Sequence, residues 1–216
     1  MSTESRAAIL ARIRAANRNA SAADGPVARA KEWDLLPREY RQQGHLSEAD
    51  RLQLFDERIR HYNGTPFYST GDIPSEIARI LSERDKRNLL APPELPGEWL
   101  PDGFQFTRDQ NLSKQQLNTF DGVVTTCTLG IALTGTVVLE SSPTQGRRAA
   151  TLIPDYHLCI LRKDDIVELV PEAIRRLEKV KNHPLTFFSG PSATVDIEMT
   201  RVRGVHGPRT LDVLLI

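Results

Sequence analysis

The stretch GVVTTCTLGIALTGTVVLESSPTQGRRAATLIPDYHLCIL, residues 122–161, decides the fold. Within it Val123–Thr126, Thr136–Leu139 and His157–Leu161 are short, β-branched or apolar runs without a polar alternate face, the pattern of strands covered on both sides. Leu129–Leu133 and Arg147–Ile153 read as short helices between them. Further on, Asp164–Lys179 reads as a long helix, Leu185–Phe188 as a strand, Thr194–Thr200 as a short helix and Leu211–Ile216 as an almost wholly apolar closing strand. Upstream, Thr65–Tyr68, Asn88–Pro92 and Phe104–Thr107 are strand-like. Pro74–Arg84 is a helix with proline at its first turn, and Ser113–Asn118 a shorter one. Strands alternating with helices predict a three-layer α/β/α domain around a mainly parallel sheet, over residues 65–216.

Before Thr65 the pattern is helical, so residues 1–64 read as an N-terminal extension. Ile9, Leu10 and Ile13, ringed by Arg6, Arg12, Arg14 and Arg18, predict an amphipathic helix from Thr3 to about Asn17. A polar linker covers Ala20–Val27, and a helix interrupted at Pro37 covers Ala28–Tyr40. Ser47, with Asp50 three residues on, caps a clearer helix running to His61, whose stripe is Leu52, Leu54, Phe55 and Ile59.

Composition narrows the function. The chain has 216 residues and balances 28 basic against 28 acidic side chains, which argues against a dedicated nucleic-acid binder. No apolar run reaches the ~18 to 20 residues of a membrane span, and the start carries arginines instead of a secretory apolar core. The expected compartment is the cytoplasm. The two cysteines, Cys127 and Cys159, cannot supply the four thiolates of a cubane iron–sulfur cluster or a cysteine-rich zinc site. Both sit among apolar or small residues and read as packed thiols, and His157 reads as a packed strand residue. No metal site and no cofactor of the chain's own are expected.

Three loops carry the small, hydroxyl and charged residues expected where ligands bind at the ends of such strands. They are LTGT (Leu133–Thr136), SSPTQGRR (Ser141–Arg148) and SGPSATVDIE (Ser189–Glu198). Backbone amides and hydroxyls of the last two suit an anion cradle, with glycine allowing close approach and Arg147 and Arg148 adding charged donors. The same serines and threonines, Ser142, Thr144, Ser192 and Thr194, suit plain helix caps. Thr134, Gly135, Thr136, Ser142, Gln145, Gly146, Arg147, Ser189, Gly190 and Ser192 are therefore the candidate ligand-binding residues. His206, bracketed by Gly204 and Gly207, is a candidate for proton transfer, and Asp196 a second candidate acid–base group. No GxGxxG, Walker, GxSxG or HExxH motif is present.

At these loops the chain resembles a known family. TGT at Thr134–Thr136, QGRR at Gln145–Arg148, SGPSAT with DIE over Ser189–Glu198, and GVHGPR at Gly204–Arg209 together resemble the lactate utilisation protein C group of the LUD-domain family. The likeness spans nearly all of Asp121–Ile216. It implies a fold like that of the NagB/RpiA/CoA-transferase group and a part in oxidising L-lactate to pyruvate beside iron–sulfur partner subunits. The chain departs from the family's frequent IAETGT at Leu133, where a glutamate often stands, so no carboxylate role carries over to that position. Three readings stay open. The chain is an accessory or substrate-binding subunit without its own redox cofactor, a stand-alone enzyme acting on a phosphorylated or acyl small molecule, or a module docking a partner through its basic N-terminal helix.

Overall fold

A computed structural model describes residues 3–17, 34–37, 39–195, 201–203 and 206–216. The chain divides into two compact units, residues 1–41 and 42–216. The first contains helix α1 (Thr3–Asn17), on which Ile9, Leu10 and Ile13 are exposed. Most of the helix expected over Ala28–Tyr40 lies outside the described residues.

The second unit is built on a sheet of six parallel strands. In chain order these are β1 (Thr65–Tyr68), β2 (Asn88–Ala91), β3 (Gln105–Arg108), β4 (Gly122–Thr126), β7 (Tyr156–Leu161) and β12 (Thr210–Leu215). Their spatial order is β1-β12-β7-β4-β2-β3. Alternation along β7 shows why both faces are apolar. Tyr156, Leu158 and Ile160 join one core with Ile77, Ile80 and Leu81 of helix α3 (Ile73–Glu83), while Cys159 and Leu161 join the opposite core. Helices α4 (Lys114–Leu117) and α5 (Arg148–Leu152) close a smaller cluster through Leu117 and Ala150.

The helix expected to end the N-terminal extension belongs to this unit. Helix α2 (Glu48–His61) is capped by Ser47, whose hydroxyl accepts from the Asp50 amide at 3.1 Å. Its Phe55 and Ile59 are wholly buried against Val137, Leu139, Cys159 and Leu161. Burying two such side chains stabilises by roughly 1.5–3 kcal/mol each, which is why the compact unit begins at Gln42 and not at Thr65.

A second sheet departs from the expected elements. Its four strands, β5 (Leu129–Ile131), β6 (Thr136–Glu140), β8 (Ile166–Val167) and β9 (Leu185–Phe188), lie in the order β8-β5-β6-β9. Leu129–Leu133 is thus a strand with its following turn, not a helix. Leu129 and Ile131 alternate onto the face covered by α6 (Val170–Leu177), and Gly130 lets Leu161 approach within 2.8 Å of where a Cβ would stand. The single helix expected over Asp164–Lys179 is broken for the same reason. Ile166–Val167 pair with β5, and α6 starts only at Val170, with Pro171 in its first turn and Glu172 accepting the Leu169 amide at 2.8 Å. Of the helix expected over Thr194–Thr200, Thr194 and Val195 lie instead in β10 (Ala193–Val195), which pairs antiparallel with β11 (Arg201–Arg203), and residues 196–200 lie outside the described residues.

Candidate functional site

The described candidate residues fall into two groups, at opposite ends of the parallel strands of the second unit. Thr136 opens β6 and Ser142 lies beyond its far end, six residues on, which is about 20 Å of extended chain.

The first group lies at the carboxyl ends of the parallel strands. β2 leads outward to β3 while β4 leads the other way to β7, so the order reverses between β2 and β4. Open α/β sheets place ligands at such a reversal. The loop Ser141–Arg147 covers this point. Its Thr144 carbonyl accepts from Thr126 at the end of β4 (3.3 Å), and its Pro143 carbonyl accepts from the Glu94 amide beyond β2 (2.9 Å). Gly146, at φ +81°, turns the loop while the Ser142 carbonyl accepts its amide at 2.7 Å. Gln145 is buried and spent within the protein. Its Oε1 accepts from the Glu140 amide at 2.8 Å and its Nε2 donates to Thr128 at 3.0 Å.

Arg147 is held in the same way. Nε and Nη2 donate to the two oxygens of buried Asp109 at 2.7 and 3.1 Å, and Nη2 also donates to the Leu112 carbonyl. This bidentate pair raises the Arg147 pKa and leaves Nη1 as the guanidinium's remaining face. The crevice beside it, of about 390 Å³, is lined by Pro93, Glu94, Asn111, Ser141, Ser142 and Arg147, among others. Its wall combines hydroxyl, amide and charged groups, with the Arg147 charge largely offset by Asp109 and with Glu94 adding a second carboxylate. Arg148 is exposed.

The second group lies at the amino ends. Thr134, Thr136 and Ser189 form a chain of hydroxyls, with Oγ1–Oγ1 of 2.7 Å and Oγ1–Oγ of 2.6 Å. Gly135 and Gly190 serve packing. At φ +55°, a Cβ on Gly135 would stand 2.5 Å from the Arg58 carbonyl carbon and the Ile59 nitrogen. At φ +100°, one on Gly190 would stand 2.4 Å from the Tyr62 oxygen. The TGT and SG motifs thus seat the last turn of α2. Nearby, Ser192 donates its amide to Pro208 (2.8 Å) and its hydroxyl accepts from the His206 amide (3.0 Å), with the His206 side chain exposed. Asp196 lies outside the described residues.

Three buried carboxylates carry interactions that the motifs do not signal. Asp109 holds Arg147, Asp212 holds Arg84 at 2.7 Å, and Glu168 accepts the His45 and Leu46 amides at 2.6 and 2.8 Å. Each partner lies tens of residues away or more, so no local spacing reveals the pair.

His157 is wholly buried, with Nε2 2.8 Å from the Thr125 hydroxyl, the Phe188 ring edge-on to it and, among the described residues, no hydrogen-bond partner for Nδ1. Burial lowers its pKa to about 3. Between the ordinary value of 6.5 and about 3 the unfolded chain binds a proton that the folded chain does not. Stability contributed by the neutral imidazole is complete above pH 6.5 and falls toward pH 3, by up to about 1.4 kcal/mol per pH unit. A His157→Gln variant should show a flatter decline of urea midpoint from pH 7 to pH 4.5. An unchanged slope contradicts this assignment.

Cys127 and Cys159 are free thiols. The neighbouring Cys159 thiol, and then burial, hold Cys127 well above the ordinary thiol range. Among the described residues no three His, Cys, Asp or Glu side chains converge as a metal-ligand set. No described helix is long and apolar enough to cross a membrane.

Comparison with known proteins adds the following. The model of the LUD domain matches residues 13–216. A lactate utilization protein C from Deinococcus radiodurans is 41% identical over 175 residues, covering 79% of this chain and 82% of that protein. A lactate utilization protein C from Bacillus subtilis is 29% identical, covering 79% and 72%. The crystal structure of a DUF162 family protein from Deinococcus radiodurans superposes with a TM-score of 0.68 at 34% identity, covering 79% of this chain and 99% of that one.

Proposed function

The chain belongs to the LUD-domain family, and from that membership we propose that it serves L-lactate utilisation as an accessory or substrate-binding subunit without a redox cofactor of its own. The observation that carries this is the likeness, over 79% of the chain, to a protein named for lactate utilization. Cysteine chemistry gives the role its form. Oxidising lactate to pyruvate releases two electrons and two protons, and two cysteines are too few to ligate a cubane cluster. The electrons therefore pass to iron–sulfur partner subunits, in the cytoplasm, while this chain binds or positions. On this reading the hydroxy acid is held in the carboxyl-end crevice by Ser141, Ser142, Asn111 and the remaining face of Arg147, beside Glu94 and the Arg147-paired Asp109.

Growth of a clean deletion strain on L-lactate as sole carbon source tests the role. The expected result is lost growth, restored by the gene in trans. Normal growth in a host with no second lactate enzyme rejects it.

A further inference from the structure

The carboxyl-end crevice has a charge balance that a hydroxy acid leaves unused. Its wall carries one cation, Arg147, against two carboxylates, Asp109 and Glu94. Asp109 takes Nε and Nη2 of the guanidinium at 2.7 and 3.1 Å, so Nη1 is the part still open to a ligand. Glu94 is different. It is exposed, and among the described residues its carboxylate makes no hydrogen bond and no ion pair. The Asn111 amide and the Ser141 hydroxyl on the same wall are equally free among the described residues.

The backbone that carries these groups is pinned. The Glu94 amide donates to the Pro143 carbonyl at 2.9 Å, which ties the loop after β2 to the loop after β6. Arg108 donates to the Pro92 and Leu95 carbonyls at 2.8 and 2.7 Å, on either side of Glu94. Ser141 donates its amide to the Pro184 carbonyl at 2.9 Å, and the Arg147 carbonyl accepts from the Ala150 amide at 2.9 Å as α5 begins. Both charges thus stand on ordered chain, which lowers the cost of holding a ligand between them.

A monoanion such as lactate gains the Nη1 edge but shares the crevice with the unpaired Glu94 carboxylate. A zwitterion turns that carboxylate into a partner. Its own carboxylate takes Nη1 and its ammonium takes Glu94, each through a charge-assisted hydrogen bond. We propose that the crevice binds a small α-amino acid as the zwitterion, and prefers it to the 2-hydroxy acid of the same carbon skeleton. L-Alanine is L-lactate with an ammonium in place of the hydroxyl, so the two compete for one crevice. The inference rests on the carboxyl-end crevice being the ligand site of the proposed role.

The full chain is titrated at low salt with L-alanine, with L-lactate and with L-alaninamide, which lacks the carboxylate, and binding is followed by ligand-observed NMR. L-Alanine should bind roughly 5-fold more tightly than either of the others, the upper end of what an exposed ion pair gives, and should displace L-lactate. Glu94→Gln should weaken L-alanine by the same factor while L-lactate binds at least as well as before, at an unchanged thermal midpoint. If that variant does not fold, the ranking of the three ligands on the unsubstituted chain decides. L-Lactate binding as tightly as L-alanine, or more tightly, overturns the inference and leaves the hydroxy-acid reading in place. L-Alanine binding undiminished to Glu94→Gln overturns the pairing with Glu94. Binding of neither up to ~10 mM overturns the crevice as the ligand site and the inference with it.

Discussion

Replacing Asp212 with alanine is expected to destabilise the protein by about 3 kcal/mol, the lower end of the cost of breaking a buried ion pair. Asp212 is wholly buried in the middle of β12, between β1 and β7. Its two oxygens accept from Arg84 Nε and Nη2 at 2.7 and 2.9 Å, and one also accepts from the Tyr156 hydroxyl at 3.0 Å. Arg84 donates onward to Thr65 at 3.1 Å, so the network ties all three strands to the end of α3. Removing the carboxylate leaves the Tyr156 hydroxyl buried without its partner, a loss of about 1–3 kcal/mol. Arg84 is one-third exposed, and water recovers part of its solvation, which keeps the total near the lower end. Arg84→Ala should cost more than Asp212→Asn, because it leaves a buried carboxylate facing Tyr156 alone. Urea midpoints of the three variants check this ranking, and a cost below ~1 kcal/mol for Asp212→Ala contradicts the network's role.

Gly190→Ala is expected to be the next most damaging change, costing roughly 1–3 kcal/mol for the backbone alone and more for the collision. The new methyl would meet the Tyr62 oxygen at 2.4 Å and the Tyr62 Cβ at 2.8 Å, both on the end of α2. Relief requires that end to move, and α2 carries the wholly buried Phe55 and Ile59. Gly71 supplies the control. Its φ is +120° but no described residue lies within 4 Å of its absent Cβ, so Gly71→Ala reports the backbone cost alone. Thermal or urea unfolding should rank Gly190→Ala well below Gly71→Ala. Equal loss in the two would show that the close approach to α2 carries no energy.

The parallel sheet could be read from the chain because its strands are apolar on both faces. Leu158, Ile160 and Cys159 each enter a core, on alternating sides. The four-stranded sheet could not. Leu129 and Ile131 are spaced as on one face of a strand, but so short an apolar run is too brief for periodicity to decide against a helix, and pairing with Thr136–Val138 and with Ile166–Val167 does so. The same gap explains the site. Motif residues such as Thr136 and Ser142 are visible in sequence, but the end of the strands each occupies depends on β6, which runs in the second sheet. Gly135 and Gly190 look like ligand-approach glycines, and it is the last turn of α2 that approaches them. Arg147 reads as an anion donor until Asp109, 38 residues away, is seen to hold it.

In the proposed role, this chain supports lactate oxidation without carrying electrons on its own thiols. A deletion strain complemented with the gene bearing Cys127→Ser and Cys159→Ala, grown on L-lactate as sole carbon source, tests it most directly. Growth should equal that with the unaltered gene, provided the variant accumulates to the same level. Failure to grow at equal protein level, with growth restored by either cysteine, would contradict it.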